Sequence, residues 1–228
     1  MLFEDLTWMD VESYLDYEDR VVLVVGACEQ HAYLSLLTDV SIPMVIAREA
    51  CQREGILIAP PVAYGISPQF SAYPGTISLR PQTFVAVVTQ VLEALLSHGF
   101  RRILVSNGHG GNTGLLQAAL VNLSNMYSDV RLDLFEYWRA REVQRVIEEE
   151  QLPPHHANWS ERFPFTSTGP VPHTPKDPVQ VPRASSATTV RDLLGDGSFG
   201  GPYKAPERVM ERFFGAAVEA MRTALTRL

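Results

Sequence analysis

The sequence predicts an α/β fold in three layers, α/β/α, with a mostly parallel central sheet. Three observations lead there. Short apolar runs recur at Val21–Val25, Ile56–Ala59 and Ile103–Val105, as strands covered on both faces require. Stretches with apolar residues every three or four positions separate these runs, which is the helical period. The alternation of the two types makes successive strands parallel, with helices on both faces.

The elements follow in order. Leu6-Thr7 leads into a short acidic helix, and Val21–Val25 reads as a fully buried strand ending at Gly26. Pro43 suits the opening of a helix through about Arg53, because a first-turn residue needs no N–H. Ile56–Ala59 is a second strand, stopped by Pro60-Pro61. From Pro81 to His98, Phe84, Val88, Val91, Leu92 and Leu95 share one helix face, and Gly99 is free to take the left-handed cap. Arg102–Val105 is a third buried strand and Thr113–Met126 a helix that Asn112 is placed to cap. Val130–Phe135 alternates apolar with polar residues, as a strand nearer an edge does. Arg139–Glu150 reads as a charged surface helix. The last helix, from Pro206, carries Val209, Phe213, Ala217 and Met221 at core spacing.

Residues 151–182 break the rhythm. They hold eight of the sixteen prolines, and a loop this long in a compact domain is usually functional or disordered. Trp159, Phe163 and Phe165 favour a packed loop. One domain over residues 1–228 is expected, with this proline-rich segment as part of its site.

Composition excludes several functions. The net charge is −7, and the first twenty residues carry seven acids against Arg20 alone, so the rest of the chain is near neutral. Without a basic stripe, nucleic acid is a poor partner. Two cysteines, Cys28 and Cys51, build neither a disulfide scaffold nor a thiolate zinc site. The opening MLFEDLTWMD lacks a basic and then apolar leader, and no apolar run is long enough to span a bilayer. A cytoplasmic protein without membrane contact is expected.

Ligand sites of parallel sheets lie at the carboxyl ends of strands, and two motifs fall there. The first is Gly26-Ala27-Cys28-Glu29-Gln30-His31, followed by Thr38-Asp39. With no Lys or Arg nearby, the two carboxylates beside the imidazole repel each other, and a divalent cation is the simplest partner that stabilises both. The second is Asn107-Gly108-His109-Gly110-Gly111-Asn112. Its glycines, Gly110 among them, let the backbone approach a ligand beside an exposed imidazole. The same glycines suit a phosphate cradle, but the loop lacks the lysine and the spacing of phosphate-binding motifs.

Together with Tyr64-Gly65-Ile66-Ser67 and Tyr73-Pro74-Gly75-Thr76-Ile77-Ser78-Leu79, these segments resemble the creatininase (creatinine amidohydrolase) family. That family shows an EQHGPHLPLGTD-like segment, a YGxS and FPGTISL pair, an NGHGGN loop and a late HA…E motif. The last looks like His156-Ala157 with Glu161 in this chain. The resemblance implies a hydrolase with two divalent ions (Zn, Mn or Fe) that activate water against a C–N bond. Glu29, His31, Asp39 and His109 match the metal ligands, with Asp39 bridging. Gly111 stands where creatininases proper carry a ligating Glu, and Glu161 is expected to replace it. His156 matches the catalytic histidine. On the substrate side the resemblance puts Tyr73, Gly110 and Trp159, although Trp159 equally suits a clamp on the loop. The substrate would be a small amide, cyclic amide, formamide or short peptide. A homo-oligomer, a hexamer in the family pattern, is implied as well. Two departures fall on the substrate side: Tyr33-Leu34-Ser35-Leu36 replaces the family's second histidine, and Phe70 stands where many members have a histidine. They motivate an alternative, a member that binds metal and ligand without turnover.

Overall fold

Strand β1 (Arg20–Val25) is the centre of the sheet in the computed structural model, which describes every residue from Met1 to Leu228. It pairs with β2 (Leu57–Val62) on one side and β3 (Arg102–Asn107) on the other, and β4 (Arg131–Phe135) adds to β3. All pairings are parallel, with Val21 opposite both Leu57 and Ile103. Side chains alternate across a strand, so β1 feeds two cores. Val22 and Val24 join one with Ile42, Ile46 and Phe213, while Val21, Leu23 and Val25 join another with Phe84, Val88 and Leu116.

Helices cover both cores. Helices α2 (Thr38–Cys51), α5 (Arg141–Glu150) and α7 (Glu207–Arg227) lie on the first face. The second face carries α1 (Trp8–Leu15), α3 (Pro81–Ser97) and α4 (Thr113–Met126). The expected three-layer fold is therefore present. Val209, Phe213, Ala217 and Met221 of α7 are all buried; truncating a phenylalanine so placed costs roughly 3–5 kcal/mol. No helix is long and apolar enough to cross a membrane.

Four local expectations need correction. Helix α2 begins at Thr38, so Pro43 lies inside it rather than at its start. Strand β2 runs through Pro60-Pro61 to Val62; it is an edge strand, where a missing N–H breaks no ladder on the open side. Asn112 stands at the N-terminus of α4 without capping it. Its side chain instead donates to the Gly26 carbonyl (3.0 Å) and accepts from the Ile66 N–H (3.1 Å), joining three loops. Arg139 belongs to a short turn before α5, which starts at Arg141. A further helix, α6 (Ala187–Leu194), was not legible in the sequence; its Val190 and Leu194 pack on Phe70 and Tyr73. Gly99 does adopt a positive φ (112°) after α3, and β4 is an edge strand as its alternation predicts.

The chain runs from β1 to β2 in one direction and then crosses to β3 on the other side. The reversal leaves a crevice beyond the carboxyl ends of β1 and β3. Glu29 and His31 follow β1, and His109 follows β3.

Candidate metal centre

Three acids and three histidines meet in that crevice. Asp39 is central, because its two carboxylate oxygens face different neighbours. Oδ1 lies 3.0 Å from His31 Nε2, and Oδ2 lies 3.0 Å from His109 Nδ1. Glu161 Oε2 is 3.9 Å from His31 Nε2, and Glu29 Oε1 is 3.4 Å from His109 Nδ1. Two groups with metal-binding spacing result, Glu29–Asp39–His109 and His31–Asp39–Glu161, and they share Asp39. A third combination, Glu29–His31–His156, also has suitable spacing, with His156 Nδ1 3.6 Å from Glu29 Oε1.

Backbone carbonyls orient each imidazole. His31 Nδ1 faces the Glu29 carbonyl at 3.1 Å, His109 Nε2 the Ile66 carbonyl at 2.8 Å and His156 Nε2 the Gln30 carbonyl at 2.9 Å. A carbonyl only accepts, so in His31 and His109 it fixes the proton on that nitrogen and leaves the other lone pair aimed at the carboxylates, whereas His156 Nε2 also lies 2.9 Å from the Gln30 side-chain amide nitrogen, which only donates. Metal-ligating histidines are held in this way.

The surrounding motifs set these positions. The Ile77 N–H donates to the Cys28 carbonyl (2.8 Å), and Thr76 Oγ1 accepts from the Gln30 N–H (3.0 Å), so the Tyr73–Leu79 segment braces the Glu29 loop. Cys28 is buried, with its Sγ 3.5 Å from the Gly75 carbonyl. Asn107 holds the His109 backbone from both ends, accepting from its N–H (3.1 Å) and donating to its carbonyl (2.8 Å). Buried Glu136, just past β4, receives the other Asn107 bond (2.8 Å) and the Thr113 hydroxyl. Ala32 and Ala157, each following a site histidine, adopt positive φ of 49° and 60°; strain of about 1–2 kcal/mol per residue is thus placed at the site. The Ala157 N–H donates to Glu161 Oε2 (2.6 Å).

The donor set fits a pair of divalent ions. Glu29 Oε1, Glu29 Oε2 and Asp39 Oδ2 are buried with no hydrogen-bond partner, and buried anionic oxygens left so are costly. No Lys or Arg lines the cavity to balance them. Without metal, protons take up part of that role. Burial opposes a charge on His31, but the Asp39, Glu161 and Glu29 carboxylates overcome it and carry its pKa up to about 10. Burial likewise opposes ionisation of Asp39, yet His31 and His109 hold its carboxyl well below the usual range. Glu161 is pushed up to about 7 by burial, with Asp39 and Glu29 adding to it against His31. Burial and the nearby His31 charge press His156 down to about 4.

A cavity of about 520 Å³ opens onto this cluster, lined among others by Phe70, Gly110, Tyr137, Trp138, Ile147 and Phe199. Of the residues expected on the substrate side, Gly110 lines it. Tyr73 does not; it stands behind Phe70, ring centroids 6.3 Å apart, beneath the Arg191 guanidinium. Trp159 does not either. It is fully buried against Phe213 (5.5 Å), and its indole N–H donates to the Pro153 carbonyl, so it clamps the loop. Phe70 stacks on His156 at 4.6 Å and 18°. Sequence reasoning assigns no site role to Gln30, Asn107, Glu136 or Phe199, and reads Trp138, which follows the edge strand, as a packing residue. Asn107 stands inside the glycine-rich motif, whereas Glu136 leaves no signal beyond its place at a strand end.

A family profile described as Creatininase: Creatinine amidohydrolase matches residues 4–225. Among similar proteins, the creatinine amidohydrolase of Pseudomonas putida is 33% identical over 116 residues, 48% of this chain and 45% of that protein. The mycofactocin precursor peptide peptidase of Mycolicibacterium smegmatis is 37% identical over 117 residues, 45% of this chain and 44% of that one. The matched stretch thus spans less than half the length of these curated relatives. In fold, a crystal structure of creatinine amidohydrolase superimposes with a TM-score of 0.79 at 24% identity, covering 99% of this chain and 96% of the other. A mutant creatininase complexed with creatine gives 0.83 at 24% identity, covering 99% and 97%. A match from the fourth residue almost to the last, in a chain whose matched motifs converge on one acid–histidine cluster, places this protein in the creatininase family.

Proposed function

We propose that the protein is a metal-dependent hydrolase that cleaves a C–N bond of a small amide, cyclic amide, formamide or short peptide. One observation carries the reading: the two oxygens of Asp39 face two separate ligand groups. Glu29, Asp39 and His109 would hold one divalent ion, and His31, Asp39 and Glu161 the other. Zn²⁺, Mn²⁺ and Fe²⁺ suit such oxygen and imidazole donors. Creatininase structures of Zn–Zn and Mn type, similar in fold, accord with that choice. When bound, such a pair acts as a Lewis acid on a carbonyl and lowers the pKa of water toward about 7.

The chain's own groups do the rest. In the tautomer whose Nε2–H donates to the Gln30 carbonyl, the His156 Nδ1 lone pair is free at the cavity. His156 Nδ1 takes a proton from the attacking water as its oxygen bonds to the carbonyl carbon. It then passes that proton to the nitrogen as the C–N bond breaks. Phe70, stacked on the imidazole, keeps bulk water from one of its faces.

The test is hydrolysis of creatinine, formamidopyrimidines and short peptides by protein stripped with chelator and then reloaded with Zn²⁺ or Mn²⁺. Metal-dependent turnover of one class, lost in His156→Ala with metal content intact, is expected. Full metal uptake with no turnover across the panel would leave a binding protein in its place.

A further inference from the structure

The cavity wall also indicates which amides enter, an inference that rests on the hydrolase reading above. The only acids that line it are Glu29, Asp39 and Glu161 of the cluster itself. Its remaining lining carries no Lys, Arg or further carboxylate; the polar side chains beyond the cluster are Gln69, Gln144, Ser160, Tyr137 and the imidazole of His155. Trp138, Ile147, Pro154 and Phe199 supply apolar surface, and each is only partly buried. A charged group on the substrate, away from the reacting bond, would give up water there without meeting a counter-ion, an unfavourable exchange.

Space points the same way. A Cβ built on Gly110 meets nothing within 4 Å, so the cavity stays open beside His109. At about 520 Å³ it falls within the ~300–1,000 Å³ range of sites for drug-sized ligands, and a small cyclic amide fills only part of it. Trp138 is held in place: the Gln144 side chain donates to its carbonyl, and its ring meets Tyr137 edge-on at 5.2 Å. Phe199 meets both Phe70 (6.3 Å) and His156 (6.0 Å) edge-on. Rings fixed in this way present a flat apolar surface at little entropic cost.

We propose that the substrate is an uncharged amide whose group beyond the scissile bond is apolar and flat, such as an aromatic ring, packed against Trp138 and Phe199. Recognition is by burial rather than by ion pairing.

Hydroxamic acids anchor on metal pairs, so their tails report on the wall without any need for turnover. Zinc-loaded protein, its zinc content measured first, is titrated at pH 8, above the ordinary imidazole range. The probes are 3-phenylpropionohydroxamic acid, its carboxylate-ended succinic analogue and the ammonium-ended β-alanine hydroxamate. The phenyl tail is expected to bind at least about tenfold more tightly than either charged tail. Trp138→Ala should remove most of that preference with zinc content unchanged. Gln69→Lys, which adds a cation at an exposed lining position, should strengthen binding of the carboxylate tail. If zinc binds and a charged tail equals or exceeds the phenyl tail, the substrate class is wrong while the hydrolase reading stands. If the protein takes up neither zinc nor any hydroxamate, the hydrolase reading fails and this inference with it.

Discussion

Gly108 packs its bare Cα directly on the Asp39 carbonyl, one turn before Pro43 in α2. Proline has no N–H, so it cannot donate to that carbonyl as an ordinary helical residue would. The gap lets the loop after β3 approach α2 backbone to backbone, and Gly26 makes a similar approach from the loop after β1. Both metal-side loops are thereby registered on the residue that joins the two ligand groups.

Gly108→Ala therefore places a methyl where the Asp39 carbonyl already stands. Overpacking of this kind costs roughly 1–3 kcal/mol or more. Chemical denaturation should show a loss at the upper end of that range, and Zn²⁺ affinity should fall with it. Gly114→Ala, whose Cβ would meet nothing within 4 Å, is the control: inside α4 it should not lower stability and should leave Zn²⁺ affinity unchanged.

Glu161 reaches the cluster from the proline-rich loop rather than from the glycine loop. Glu161→Gln should weaken one ion far more than the other, giving a biphasic Zn²⁺ titration. Equal affinity and stoichiometry in the variant would move the ligand role to His156, whose Nδ1 also lies near Glu29.

Lys176 anchors the segment that supports His156. Its Nζ donates to Asp196 Oδ1 (2.5 Å) and to the Ser198 carbonyl (2.7 Å), while the Tyr203 hydroxyl donates to the other Asp196 oxygen. The Gly197 carbonyl in that segment accepts from Gln30 (3.1 Å), the residue that holds His156. Lys176→Met should cost about 1–3 kcal/mol and speed amide exchange across residues 195–201. Metal content should stay the same while kcat falls, since only the proton-carrying imidazole loses its support.

Acid sensitivity is expected at the opposite end of the sheet. Hydrogen bonds from Arg20 hold the Glu18 carboxyl below its ordinary 4.5, against burial and with Arg102 assisting. A carboxylate with a depressed native pKa stabilises the fold above its unfolded pKa and loses that contribution as the pH falls through the native value. Stability measured between pH 7 and pH 3 should therefore drop more steeply for the wild type than for Glu18→Gln. Parallel curves would contradict the assignment.

Much of the fold was legible because each strand carries its own burial. Val21–Val25 is apolar at every position, so both of its faces had to be covered, and β1, like β2 and β3, has a core on each side. The prolines misled for one reason. Pro43 and Pro60-Pro61 look like boundaries in the sequence, but the missing N–H is harmless where glycines pack against the carbonyl it would have reached or where the strand edge is open. In the site, Glu29, His31, Asp39 and His109 were readable as acids and imidazoles beside glycines at strand ends, and they do converge. Glu136 and Gln30 were not, because their value lies in contacts to residues far away in the chain. Trp159 was ambiguous in sequence, since an indole packs in a loop or a pocket with equal ease; Phe213 decides it.

The most direct test counts metal. Chelator-stripped protein titrated with Zn²⁺ or Mn²⁺ should take up about two ions per chain, and Asp39→Asn should lose the paired binding while remaining folded by circular dichroism. One ion or none in the wild type, or two in the variant at unchanged affinity, would contradict a centre built around Asp39.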